Sequence, residues 1–434
     1  MKRVLTSASL LALGAGSLYA NDPEMSRQIS GRPFTVSATV RGFYDDNINT
    51  SPDKVIINNR AHDPREESFG VQVSPSVHLN LAMEQTFLGL GYTYILNWYD
   101  NREPHDTDQS HEFSAKLRHQ FSPRHQIAVD DAFIMTSEPT AVQSFGIVTV
   151  PVRTGGDVLQ NHGSIDDTFQ LTSIWGLSFG YANTWVDYEE DGVGSRSALL
   201  DRMEHLLRAD ARYQFSPKLV GIVGYTFGFT TFTGDESLQL DDPTTLGFNE
   251  ASLQSDYRDS TSHYAYIGVD YDVTAKLRAS VRVGAQFSDY SEADESSANP
   301  YADASMSYSF TPRTGLEAGI RHSRSATDVS AIDTSGQATL DSEVTAMYLG
   351  LNHRFMPNLT TGVIFQYQIS SFDEGLNDGE TEDLFMVGVN VEYHFNRHFS
   401  ADAGYNYDHL NSDIKGNDRS YDRNRFYVGL KATY

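Results

Sequence analysis

The 434-residue sequence contains no cysteine, which excludes disulfide staples and any lipid anchor attached through cysteine. Beyond residue 20 no stretch approaches the ~18 consecutive apolar residues of a membrane-spanning helix, so no helical span is expected. Hydrophobic residues make up only 39% of the chain. Positive charge is scarce: 32 Lys and Arg stand against 58 Asp and Glu, a net charge of −26. That balance argues against nucleic-acid partners and against general attraction to anionic phosphate surfaces. Catalytic and metal-binding patterns are also sparse. The 14 His are scattered, and no His-x-x-x-His or HExxH pair falls on a helix. Ser262 and His263 are adjacent on one strand and so point to opposite faces. The acidic stretch DEGLNDGE (373–380) lacks the every-second-residue ligands and closing Glu of a calcium loop, and reads as solvated charge. An enzyme is therefore not expected, nor any cofactor or metal.

Aromatic residues, by contrast, are abundant at 12%, with 24 Tyr and 24 Phe. A disordered chain would be poor in aromatics as well as in aliphatics. The combination suits a protein with a polar interior and an aromatic outer band. At the N-terminus Lys2 and Arg3 precede a mostly apolar or small run from Val4 to Leu18, and Ala20 offers a small cleavage residue. Residues 1–20 read as a signal peptide cleaved after Ala20. Residues 21–33 read as a short periplasmic segment and 34–434 as one unit, since no interior composition shift marks a boundary. With about a dozen residues between Ala20 and Phe34, no plug domain is expected, and no autotransporter passenger.

A punctuating unit recurs along the chain. QFSPRHQ (120–126), QFSPKLV (214–220), SFTPRTG (309–315), RFMPNLT (354–360) and HFNRHFS (394–400) each end a strand on Phe and then bend. Pro, Ser and Thr pre-set such bends, and Pro is poorly suited to a central strand. AMEQT (82–86), SIWG (173–176) and VTAKLR (273–278) look like degenerate copies. Between the short turns lie long polar segments at 46–67, 100–110, 137–165, 189–200, 234–259, 289–299, 327–340, 372–380 and 411–420.

Runs of roughly ten residues with period-2 alternation connect these bends. Strand 277–287 sets Leu277, Ala279, Val281, Val283, Ala285 and Phe287 against Arg278, Ser280, Arg282, Gly284 and Gln286. Strand 201–215 sets Met203, Leu207, Ala209, Ala211, Tyr213 and Phe215 against Arg202, Glu204, Arg208, Asp210, Arg212 and Gln214. Strands 69–81 and 399–407 repeat the pattern, with Pro75 best placed at a bulge. A soluble sandwich tolerates such strands but does not need them in strict short-turn, long-loop order. A transmembrane barrel does, with apolar residues outward and polar residues inward, and it must close to satisfy its backbone. The expected fold is all-β: a transmembrane antiparallel up-and-down barrel of about 18 strands (16–18), with short periplasmic turns and long acidic extracellular loops. Eight short turns and nine long loops yield that number. Residues 137–188 are ambiguous, reading either as a hairpin turning at Ser173–Gly176 or as one long strand.

The last ten residues, RFYVGLKATY, alternate to the very end. The final strand is expected to close the barrel against a first strand at roughly Phe34–Asp45. Phe426, Val428, Leu430 and Tyr434 also resemble the carboxy-terminal signal that the barrel-assembly machinery reads. By parity Arg41, Lys116, Arg118, Arg202, Arg208, Arg212, Arg278, Arg282, Arg321 and Arg354 line the lumen. So do Glu112, Glu204, Asp210, Asp270, Asp272, Asp303, Glu317, Glu392 and Asp402. Arginines lining a water-filled pore would favour anions. Because carboxylates are nearly as numerous, cross-strand pairing is expected over a dedicated anion ladder.

The first strand and its loop, ATVRGFYDDNINTS (38–51), resemble the opening of a bacterial β-barrel porin family, whose N-terminal strand runs into an aromatic-Asp-Asn-Ile segment. Here Tyr44, Asp45, Asp46, Asn47 and Ile48 carry that likeness, and the turns and terminal aromatic extend it as pattern over the mature chain. The resemblance implies an outer-membrane location in a Gram-negative bacterium, and some such families are associated with exopolysaccharide export. It brings no catalytic residues. The leading expectation is a porin-like channel for passive diffusion of small hydrophilic solutes. An exopolysaccharide export conduit or partner-gated pore is the alternative, for which Tyr264, Tyr266 and Tyr348 are the only hint. A non-conducting structural or surface-recognition barrel is a third reading. Expected partners are outer-membrane lipid, the assembly machinery and a small solute or polysaccharide, with a homotrimer admitted by the fold.

Overall fold

Alternating side chains on Val-, Phe-, Tyr- and Thr-rich segments favour a pleated backbone, and the chain realises this segment after segment. The computed structural model describes residues 33–52, 55–57, 60–102, 106–137, 156–238, 253–329, 332–333, 336–415 and 419–434. The expected signal peptide, residues 1–20, and residues 21–32 of the expected periplasmic segment lie outside the described residues. Eighteen strands form one sheet. They are β1 (Phe34–Asp45), β2 (Ser68–Ala82), β3 (Thr86–Tyr99), β4 (Thr107–Ser122), β5 (His125–Thr136) and β6 (Val158–Gln170). Next come β7 (Trp175–Tyr188), β8 (Arg202–Ser216), β9 (Leu219–Phe232), β10 (Ser260–Thr274), β11 (Leu277–Tyr290) and β12 (Glu295–Thr311). The last six are β13 (Thr314–Ser325), β14 (Asp341–Met356), β15 (Leu359–Asp373), β16 (Thr381–His394), β17 (Phe399–Ser412) and β18 (Tyr421–Thr433).

Each strand pairs antiparallel with its neighbours in the chain, and β18 pairs with β1 from Ser37↔Thr433 to Asp45↔Arg425. The Tyr434 N–H donates to the Val36 carbonyl at 2.8 Å and the Val36 N–H to the Tyr434 carbonyl at 3.1 Å. The sheet is therefore closed. The expected strand number, the even count and the first-strand limits all hold.

The repeated turn has a structural meaning. The ladder register shifts between Gln120 and Ser122, Gln214 and Ser216, Ser309 and Thr311, and Arg354 and Met356. In each case the skipped residue is the Phe of the motif, so the bulge re-aims that ring. Phe121, Phe215, Phe310 and Phe355 are all exposed, as are Phe395 and Phe399. They form an aromatic girdle at the short-turn end of the barrel. Nearer the long loops, outward-facing Tyr–His pairs recur. Tyr92 meets His111 at 3.0 Å, Tyr181 meets His205 at 2.8 Å, and Tyr225 meets His263 at 2.6 Å.

Several details differ from the sequence expectation. Segment 137–188 is a hairpin: β6 begins at Val158, inside the expected loop 137–165, and the chain turns between Gln170 and Trp175. Likewise β4 begins at Thr107, inside the expected loop 100–110. The segment expected as a loop over 289–299 is a tight turn between Tyr290 and Glu295, with Asp294 at φ 54°. Its polar residues continue as strand because Ser and Asn at the rim need no apolar partner. Pro300 is accommodated because β12 pairs with β13 only from Ala302 onward, leaving its missing N–H on an unpaired flank. Pro75 makes no bulge: the β2–β3 ladder skips Ser74 and Pro75 without changing register. The first long loop carries a small hairpin of Val55–Ile57 with Arg60–His62. The loop after β7 carries a short helix, α1 (Arg196–Leu200), whose Ala198 N–H donates to the Ser195 hydroxyl.

The burial pattern is inverted relative to a soluble protein. Val223, Ile267, Val428 and Leu430 are more than 60% exposed, while Arg208, Asp210, Arg282 and Gln286 are 4% or less. So wide an apolar outer surface is stable only against lipid.

Candidate functional site

The inner wall of β8 alternates Arg202, Glu204, Arg208, Asp210 and Arg212 with exposed Met203 and Leu207. Pleating alone puts the charges on one face. Along the inner wall some arginine partners come from next-nearest strands, where a long side chain reaches past the strand between; others come from the adjacent strand or from the same strand. Arg208 pairs with Asp166 on β6 across Gly180, and its Nη1 lies 3.6 Å from Asp210. Arg212 meets Asp270 on β10 at 2.7 Å. Arg282 reaches Asp270 at 3.5 Å and donates to Ser280 at 2.6 Å, while Ser280 donates to Asp270 at 2.8 Å. The Arg202 Nε lies 2.7 Å from Glu204. Toward the periplasmic end Arg278 meets Asp272 at 3.1 Å, and Arg41 meets Asp402 at 2.6 Å. Arg118 pairs with Asp130 at 2.7 Å. Pairing, not an open arginine ladder, dominates the wall.

Two expected lumen arginines stand apart. Arg354 is exposed near the periplasmic rim. Arg321 has no carboxylate within ion-pair distance among the described residues, although Asp303 lies directly across from it on β12.

Parity alone missed several participants. Asp166, in the ambiguous segment 137–188, and Asp130 on β5 are acceptors that parity did not assign. Tyr301 packs edge-to-face with Tyr264 at 5.4 Å and against Tyr266 at 5.7 Å. Together with Ile222 and Val220 these rings make an apolar patch on the inner wall. Arg324, held by Asp341 at 2.7 Å and by Asp373, and Arg423, held by Asp45 at 2.5 Å, lock the extracellular ends of their strands. A buried ion pair adds little net stability, but removing one partner strands a charge and costs about 3–5 kcal/mol. These networks therefore fix the wall's shape.

At the extracellular end three loops interlock. Arg258, fully buried, donates to the Thr327 carbonyl at 3.0 Å and to the Leu199 carbonyl, and lies 4.3 Å from the Phe232 ring centre. Burial, reinforced by the nearby Arg202, pulls its guanidinium down to about 9. Leu238, Ile332 and Ala338 pack beside it with Leu199, Leu253 and Tyr257. Asp201, just ahead of β8, accepts the Tyr188 N–H at 2.7 Å, and burial pushes its carboxyl up to about 7. Arg419 ties a fourth loop in through Asp328 at 3.1 Å and Glu382 at 3.2 Å.

Ser262 and His263 do face opposite ways. Ser262 meets Ser288 at 3.0 Å inside, and His263 meets Tyr225 outside. Among the described residues no group of three or more metal-ligating side chains is gathered. Phe426, Val428, Leu430 and Tyr434 are 50–76% exposed on the outer face of β18 and beyond.

No curated protein matches the sequence. Solved structures of similar shape include the siderophore receptor PirA from Acinetobacter baumannii, 9% identical with a TM-score of 0.44, covering 92% of this chain and 80% of that one. OpdK from Pseudomonas aeruginosa, with vanillate, is 10% identical with a TM-score of 0.42, covering 92% and 99%. OpdL from the same organism is 13% identical with a TM-score of 0.41, covering 92% and 98%. Likenesses this distant add nothing to the strand pairing above. Residues 248–434, which hold strands β10–β18, match the family model described as Putative beta-barrel porin 2, the kind of family that the opening strand resembles.

Proposed function

We propose that the protein is an outer-membrane channel that passes small hydrophilic solutes by passive diffusion and selects them by size and charge at the inner wall. The observation that carries this reading is the inverted barrel, with Val223 and Ile267 outward and the ion pairs of Arg208, Arg212 and Arg282 inward. Eighteen strands leave room for an aqueous lumen, and the porin family match over β10–β18 supports the same reading. Because most wall arginines are paired, selectivity between anions and cations is weak. Export through a signal peptide cleaved after Ala20, and assembly read from Phe426, Val428, Leu430 and Tyr434, belong to the same proposal.

Purified protein reconstituted into a planar lipid bilayer should give stable, stepwise conductance with a reversal potential near zero in a salt gradient. Silence from verified, folded protein would overturn the open-channel reading. A polysaccharide conduit would then gain ground, since Tyr264, Tyr266 and Tyr301 form an aromatic patch inside the barrel and Tyr348 lies over Gly319.

A further inference from the structure

Arg321 departs from the pairing rule of the inner wall. It sits in mid-strand on β13, and its Nε has no hydrogen-bond partner among the described residues. The directly opposing residue on β14 is Ala346, which takes no space from it. On the other side is Asp303, which in turn opposes Arg282. Arg282 already has Asp270 and Ser280, and Asp303 forms no ion pair with either arginine. Arg321 thus lies among Tyr301 and Asp303 on the neighbouring strand β12, with Tyr264 on β10 and Glu204, five strands away on β8, also within electrostatic reach. Beside it the Tyr264–Tyr301 pair and Ile222 offer an apolar face, and the Tyr301 hydroxyl has no partner among the described residues.

We propose that Arg321 is the anion-binding residue of an internal solute site, and that the solute is a small organic carboxylate carrying a ring or apolar face. The proposal rests on the channel reading and deepens it. A guanidinium takes a carboxylate through two parallel hydrogen bonds, while the ring of the solute packs against tyrosines whose faces and edges favour such contact. Asp303 acts as the built-in competitor: it offsets the Arg321 charge when the site is empty and keeps binding weak enough for release.

The test uses reconstituted full-length protein with benzoate as the probe and benzyl alcohol as the neutral control. Benzoate should reduce single-channel current in a concentration-dependent way, and benzyl alcohol should not. R321Q should raise the half-blocking concentration at least tenfold with open conductance retained. R321K, which keeps the charge but loses the fork, should fall between. D303N should lower it several-fold, and R354Q, at the rim, should leave it unchanged. Equal block in R321Q and wild type would overturn the proposal, as would equal loss of block in R354Q, which would indicate a general field. Weaker block in D303N would overturn the assigned competition. A barrel that conducts without benzoate block sinks this site and leaves the channel standing. If the barrel does not conduct, benzoate line-broadening by NMR in wild type against R321Q reads the site directly, and no difference overturns it.

Discussion

The Tyr266 phenol on β10 reaches across β9 to donate to Asp210 on β8 at 2.6 Å. It can do so because Gly224 stands directly between them in register. A Cβ at Gly224 would come within 2.2 Å of the Tyr266 ring and 2.4 Å of the Asp210 carboxylate. Gly224→Val should therefore push the ring off and strand Asp210 beside Arg208, lowering stability by about 1–3 kcal/mol through overpacking. The shift from folded to unfolded mobility on heating before gel electrophoresis checks it.

Asp270 serves two arginines at once, Arg212 and Arg282. Asp270→Asn leaves both guanidinium groups short of negative charge in the lumen. The anion-over-cation permeability ratio should rise by roughly twofold or more. Reversal potentials in a salt gradient read this directly.

The outer face predicts a strong positional contrast. Ile267 is 62% exposed in the middle of β10, so Ile267→Arg should cost about 2–4 kcal/mol, as a lipid-facing arginine near the midplane does. Ser305→Arg, on the inner face opposite Ser280, should cost far less. Denaturant titrations of both variants in lipid vesicles would show the difference.

Asp201 makes the docking of the loop after β7 sensitive to pH. Its carboxyl sits at about 7 in the folded chain against an ordinary value of 3.8, chiefly through burial. The folded state therefore binds this proton more tightly than the unfolded state. The contribution is fully present below the ordinary value and is lost as pH rises through about 7. Amide exchange over 186–201, corrected for intrinsic rates, should be faster at pH 8 than at pH 5, and D201N should remove the difference.

The barrel was legible in the sequence because lipid and water impose opposite demands on alternate residues, as in Val281, Arg282 and Val283. Turn chemistry was legible too, since Phe-Ser-Pro marks bends, although that its Phe occupies a bulge was not. Pro75 misled because a single missing N–H interrupts a ladder without shifting it. The 291–294 turn misled because polar rim strands look like loops. The wall's pairing scheme was only half legible. Parity places Arg208 and Asp210 on one face, but the partnership of Arg208 with Asp166 depends on strand stagger and on Gly180 between them. The Arg258 staple depends on contacts between loops far apart in the chain, which no local pattern encodes.

The central claim is that one face of each strand is wet and the other meets lipid. Because the chain has no cysteine, single-cysteine variants test it without background. Ser305 and Met306 are neighbours on β12 with opposite faces. In reconstituted channels a charged, water-soluble thiol reagent should change the conductance of S305C and leave M306C untouched. Reaction at M306C with S305C inert would contradict the account.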